Sequence, residues 1–82
     1  MTLRVLSMAG TVLDTQADAV IFPGLDGSIG IHPGHAPMIS AMQAGELRYR
    51  REGEESVLSL PGGILEIAND VITIITDSEA AI

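Results

Sequence analysis

Two histidines three positions apart, in His32-Pro33-Gly34-His35, form the densest concentration of reactive side chains in this sequence. Imidazoles at that spacing can share a zinc or similar ion. A catalytic zinc usually takes a third protein ligand, and the nearest preceding acid, Asp26, sits in a turn dipeptide. Proline and glycine between the rings shape a loop, and the rings are expected to point apart. Two readings therefore stand side by side: a small metal-binding enzyme or module built on His32 and His35, and a rigid contact loop.

Other chemistry finds less support. Pro23-Gly24-Leu25-Asp26-Gly27 is glycine-rich but lacks the spacing of a phosphate loop, and the chain contains no lysine to reach a phosphate. Ser7, Ser28, Ser40, Ser56, Ser59 and Ser78 are scattered, and none lies in a GxSxG elbow. Glu54 and Glu55 are adjacent, so on a strand they point to opposite faces and do not form an acid–base pair. A lipoyl- or biotinyl-type carrier would also be small, acidic and all-β, but it needs a lysine at a hairpin tip.

The elements that would hold such groups are short. Eighty-two residues make one domain, spanning residues 1–82, with a thin core. There is no cysteine, and Phe22 and Tyr49 are the only aromatics. The core must come from Ile, Leu, Val and Met. A net charge of −7, with Arg4, Arg48, Arg50 and Arg51 as the only side-chain cations beside the histidines, excludes nucleic acid as a partner. The apolar run Val71 to Ile75 is too short to span a bilayer, and Met1 to Gly10 lacks the pattern of a signal peptide. The expectation is a protein with no direct bilayer insertion.

Nine glycines and four prolines leave little room for helix. Between them lie strand-length segments: Leu3 to Met8, Thr11 to Thr15, Asp18 to Phe22, Ser28 to Ile31, Pro37 to Met42, Glu46 to Arg50, Ser56 to Leu60, Ile64 to Ala68 and Val71 to Thr76. Alternation places Leu3 with Val5, Val20 with Phe22, and Leu47 with Tyr49. Asp26-Gly27, Glu52-Gly53 and Asn69-Asp70 read as turns. Arg48 or Arg50 is expected near Glu54 or Glu55. Gly30, inside a strand, is expected to mark close backbone approach, so Gly30→Val should destabilise. The tail from Asp77 to Ile82 is expected to fray. Eight to ten short strands with regular turns describe an antiparallel sandwich or barrel.

The stretch Phe22 to Ser40, FPGLDGSIGIHPGHAPMIS, resembles the N-terminal β-sandwich of ATP synthase epsilon subunits of the F type. The matching positions are Pro23-Gly24, Asp26-Gly27, Gly30-Ile31 and Pro33-Gly34-His35-Ala36-Pro37. Ala44-Gly45-Glu46-Leu47-Arg48 and Gly62-Gly63-Ile64-Leu65-Glu66-Ile67, followed by Val71 to Ile75, resemble two later blocks of that family. The resemblance runs in order along nearly the whole chain.

The resemblance implies an all-β fold, a ten-stranded antiparallel β-sandwich of two sheets. It implies a non-catalytic central-stalk subunit with no cofactor and no metal. Its partners would be the gamma subunit and the polar loops of the membrane c-ring, linked so that ion-driven rotation is coupled to ATP synthesis. By position, Asp26, Gly27, Ser28 and Ile29 fall where the family meets the ring. Ser7, His35 and Ser40 fall at or near its gamma contact. The family often has glutamate where Ser28 stands, which leaves the ring contact to Asp26 and the backbone. It usually continues into a C-terminal helical hairpin, and the residues here stop at Ile82. The implied location is peripheral, at the cytoplasmic face of a bacterial inner membrane or the stromal face of a thylakoid.

Overall fold

Alternating apolar residues between closely spaced turns can bury one face only by pairing strands and stacking them. The computed structural model, which describes residues 1–77, shows this result. Its strands are β1 (Thr2–Ser7), β2 (Gly10–Gln16), β3 (Ala19–Gly24), β4 (Gly27–Ile31), β5 (Met38–Met42), β6 (Gly45–Arg51), β7 (Glu54–Leu60), β8 (Gly63–Ala68) and β9 (Val71–Thr76). The described residues contain no helix. The expectation for the tail lies, beyond Asp77, outside them.

Pairing runs β2-β1-β9-β8-β5 in one layer and β4-β3-β6-β7 in the other. The layers join where β3 meets β5, at the single pair Gly24–Met42. Leu3, Val5, Leu65, Ile67, Ile72 and Ile74 from the first layer close on Val20, Phe22, Ile31, Leu47, Leu58 and Leu60 from the second. Each such side chain contributes roughly 1.5–3 kcal/mol when fully buried. The all-β sandwich is therefore as expected, with the alternation of Leu3 with Val5 and of Val20 with Phe22 as read. Two details differ. The described residues form nine strands rather than ten. The β1–β9 ladder is parallel, with Leu3 beside Ile72 and Val5 beside Ile74. That ladder joins the two ends of the chain, and local patterning carries no record of which distant strands become neighbours.

Turn chemistry explains most of the connections. Glu52-Gly53 and Asn69-Asp70 are two-residue hairpin turns, and all four residues have positive φ. Between β3 and β4 the turn residues are Leu25 and Asp26, because Gly27 already pairs with Gly24. The turn thus lies one residue earlier than Asp26-Gly27. Strand register gathers the 8–9, 25–26, 43–44 and 61–62 connections at one end of the sandwich. The 32–37 loop and the 52–53 and 69–70 turns lie at the other.

Asp70 ties that second end together. Its Oδ1 accepts the Gly34 amide at 3.0 Å, and its carbonyl accepts the Thr2 amide at 3.1 Å. Its Oδ2 lies 3.8 Å from the N-terminal ammonium. Asp70→Ala is expected to cost about 1–2 kcal/mol in thermal denaturation, through the lost acceptor and the strain of alanine at φ 62°. Asp70→Asn keeps an acceptor and tolerates that φ, so it is expected to recover most of the loss.

Gly30 does not mark a close approach. A Cβ built there meets nothing within 4 Å, so the expected cost of Gly30→Val has no steric source in the fold. The tight glycines are Gly63, packed against the main chain of Ile75 and Thr76, and Gly24, packed against the Gly27 carbonyl and the Ile29 side chain.

Candidate functional site

In a strand with one buried face, two adjacent apolar residues cannot both point inward. Strands β1, β5, β8 and β9 of the first layer carry such pairs, Val5-Leu6, Met38-Ile39, Ile64-Leu65 and Ile74-Ile75 among them. One member of each turns outward. Register aligns the outward set into a row, because Leu6 lies beside Ile75, Ile75 opposite Ile64, and Ile64 opposite Ala41. Ile75 is 59% exposed and Ile64 is 55% exposed. Ile39, 75% exposed, lies two residues from Ala41 on the same face of β5, at the end of the neighbouring row opposite Glu66, and Met8, 92% exposed, stands beyond Leu6 in the 8–9 turn. The rest of that neighbouring row, Arg4-Thr73-Glu66, is polar, and Arg4 pairs with Asp14 at 3.6 Å. The result is an apolar ridge with a polar flank, the pattern of a protein-docking surface rather than of a reaction site.

The residues expected at a gamma contact are spread around this layer rather than gathered. Ser7 ends β1 directly after Leu6. Its Oγ donates to the Gly10 carbonyl at 3.3 Å and accepts the Ala9 amide at 3.2 Å, which shapes the 8–9 turn. Ser40 lies between Ile39 and Ala41, so its side chain is on the opposite side of β5 from the ridge, and its Oγ donates to the Ala41 carbonyl at 3.0 Å. His35 stands in the exposed 32–37 loop, at the end of the layer away from Ser7.

The residues expected at a ring contact do form one feature. Asp26, Gly27 and Ser28 are exposed and Ile29 is half-buried on the β3–β4 hairpin. Leu25, 61% exposed, shares the tip. Behind the tip, the Gln43 Nε2 donates to the carbonyls of Gly24 at 2.8 Å and Leu25 at 2.9 Å.

The loop uses the two histidines differently. The His35 amide donates to the His32 carbonyl at 3.2 Å, closing the loop, and the His35 Nδ1 lies 2.7 Å from the Ala36 carbonyl. His32 instead lines a shallow depression on the second layer with Ile21, Arg48, Tyr49, Arg50 and Glu55. Among the described residues, no three His, Asp or Glu side chains group to hold an ion. Arg48 pairs with Glu55 at 3.9 Å, as the hairpin pattern suggested, and also with Glu46 at 2.8 Å. These exposed pairs add about 0–1 kcal/mol each.

Sequence reasoning missed Leu6, Ile39, Ile64 and Ile75 as a surface, and Leu25 and Gln43 at the tip. The adjacent apolar pairs were the available signal for the first group. Nothing local marks Gln43. No helix among the described residues is long and apolar enough to cross a membrane.

Comparison with known proteins now adds an independent line. The family model for the ATP synthase delta/epsilon chain β-sandwich domain matches residues 1–81. The ATP synthase epsilon chain of Desulfitobacterium hafniense is 42% identical over 77 residues, covering 94% of this chain and 58% of that one. That of Symbiobacterium thermophilum is 39% identical over 79 residues, covering 95% and 57%. The chain thus spans a little over half the length of these curated relatives. A chain of the Euglena gracilis mitochondrial ATP synthase, solved with its F1 part and c-ring, superposes with TM-score 0.87 over 96% of this chain and 51% of that one, at 22% identity. A chain from the central stalk and c-ring of the Tetrahymena thermophila enzyme gives TM-score 0.78 over 95% and 63%, at 13% identity, and these two likenesses speak to the fold. Sequence blocks, sandwich and family match agree, and the chain belongs to the ATP synthase delta/epsilon chain β-sandwich family.

Proposed function

We propose that this chain is the β-sandwich body of an epsilon subunit in the central stalk of a rotary F-type ATP synthase. It seats on gamma through the first layer and meets the membrane c-ring through the β3–β4 tip, coupling ion-driven rotation to ATP synthesis. It carries out no chemistry of its own. Its place is peripheral, on the cytoplasmic face of a bacterial inner membrane or the stromal face of a thylakoid.

The observation that carries this reading is the outward row Leu6-Ile75-Ile64-Ala41 on a sandwich of this family. A small domain gains by covering such a ridge with a partner. The two similar assemblies, one of F1 with a c-ring and one of a central stalk with a c-ring, supply the partner class. A close-packed two-layer body also suits a part that transmits torque, because such interiors deform little.

Calorimetric titration of the chain into a purified F-type gamma subunit tests the proposal, and saturable one-to-one binding is the expected result. No heat with a cognate gamma would reject it. The ring contact is tested separately by Asp26→Arg and Ser28→Trp, both at exposed tip positions. Each is expected to weaken retention on a detergent-solubilised gamma–c-ring complex by roughly tenfold, with an unchanged circular dichroism spectrum. Loss of the folded spectrum would instead make these residues structural.

A further inference from the structure

Gln43 is exposed, lies outside every strand and matches no motif, yet it makes three bonds to one target. Its Nε2 donates to the carbonyls of Gly24 and Leu25, at 2.8 and 2.9 Å. Its amide donates to the Pro23 carbonyl at 2.8 Å. Three consecutive carbonyls of the β3–β4 arm are thus held by one residue of the β5–β6 connection. The neighbouring packing restricts the same corner. A Cβ on Gly45 would stand 3.2 Å from the Pro23 ring, and one on Gly62 would stand 3.2 Å from the Met42 carbonyl. Among the described residues, the only ladder pair between the layers, Gly24–Met42, lies immediately beside it.

The order along the chain gives this corner its meaning. Ala41 belongs to the apolar ridge, Met42 makes the pair between layers, and Gln43 grips the tip that carries Asp26. From these contacts we infer that Gln43 is a positioning residue that locks the β3–β4 tip to the layer bearing the ridge, so that the ring-facing and gamma-facing surfaces move as one body. The inference rests on the proposed function for its two partners. The clamp itself rests only on the hydrogen bonds and packing above.

The side-chain amide is the active part, because a carbonyl pair needs donors. Gln43→Met keeps the approximate size and neutrality and removes the donors. Gln43→Lys restores donors through an ammonium. Amide hydrogen exchange on the whole chain reads the clamp directly. In Gln43→Met, exchange at residues 25–28 is expected to quicken roughly tenfold while β1, β8 and β9 keep their rates, and Gln43→Lys is expected to restore slow exchange. Retention on a detergent-solubilised gamma–c-ring complex should fall several-fold in Gln43→Met and recover in Gln43→Lys. Unchanged exchange at the tip would overturn the clamp. Quickened exchange with full retention would overturn the positioning role, and Asp26→Arg then separates the two ideas. If Asp26→Arg weakens retention, only the positioning inference has failed; if it does not, the ring contact has failed as well.

Discussion

Gly63→Ala is expected to lower the melting temperature by roughly 15–30 °C, the equivalent of about 3–5 kcal/mol in a domain of this size. Gly63 opens β8 at φ 151°, a backbone conformation that L side chains rarely adopt. A Cβ there would collide with the Ile75 carbonyl oxygen, and would sit 3.1 Å from the carbonyl carbon and 3.2 Å from the Thr76 Cα. All three are main-chain atoms of β9, which is locked between β1 and β8. No side chain can swing aside, so a strand must shift. The Thr76 hydroxyl, which donates to the Gly62 carbonyl at 2.5 Å, would be displaced with it. Gly30→Ala is the matched control, since its Cβ enters open space, and it is expected to stay within about 0.5 kcal/mol of the parent. Thermal denaturation of the two variants decides the matter. A Gly63→Ala melt within a few degrees of the parent would show that β9 can yield, contrary to the packing.

Ile64→Asp and Ile75→Asp, made singly, are each expected to weaken gamma binding by roughly 30- to 1,000-fold, the range of about 2–4 kcal/mol found for central interface residues. The two side chains face each other across β8 and β9 at the middle of the ridge, with Leu6 and Ala41 on either side. A carboxylate at either position would be stripped of water under an apolar partner with no cation in the row to receive it. Both positions are more than half exposed, so the fold should survive. Ile21→Asp provides the control. Ile21 is 43% exposed, on the outer face of the other layer. It is expected to leave the affinity unchanged. Equal losses at Ile21 and Ile75 would mean that the ridge is not the docking face.

How much of this was legible in advance divides along a physical line. The strands were readable because their signals are local. Glycine and proline break the chain at short intervals, and period-two alternation put Leu3, Val5, Val20 and Phe22 inside. The Asn69-Asp70 and Glu52-Gly53 turns followed from Asn69, Asp70 and Gly53, whose types accept positive φ. The family blocks were equally legible, since they are ordered strings of residues.

The misplaced glycine shows where local reading ends. Gly30 and Gly63 both sit in strands, and only the arrival of β9 beside β8 makes one of them tight. The histidine pair is a second case. Their spacing allowed a shared ion, but the loop turned His32 toward the second layer and left His35 against the Ala36 carbonyl. The ridge is a third, because outward residues from four strands become a surface only once register aligns them.

By itself, then, the sequence determined the strands, most of their turns, their inward faces and the family, because each depends on neighbours within a few residues or on residue order. The tertiary structure alone decided the parallel β1–β9 ladder, the tight packing at Gly63, the apolar ridge and the grip of Gln43 on the β3–β4 tip. Each of these joins residues far apart in the chain, and such contacts are chosen by the packing of the whole core rather than by any segment's own preference.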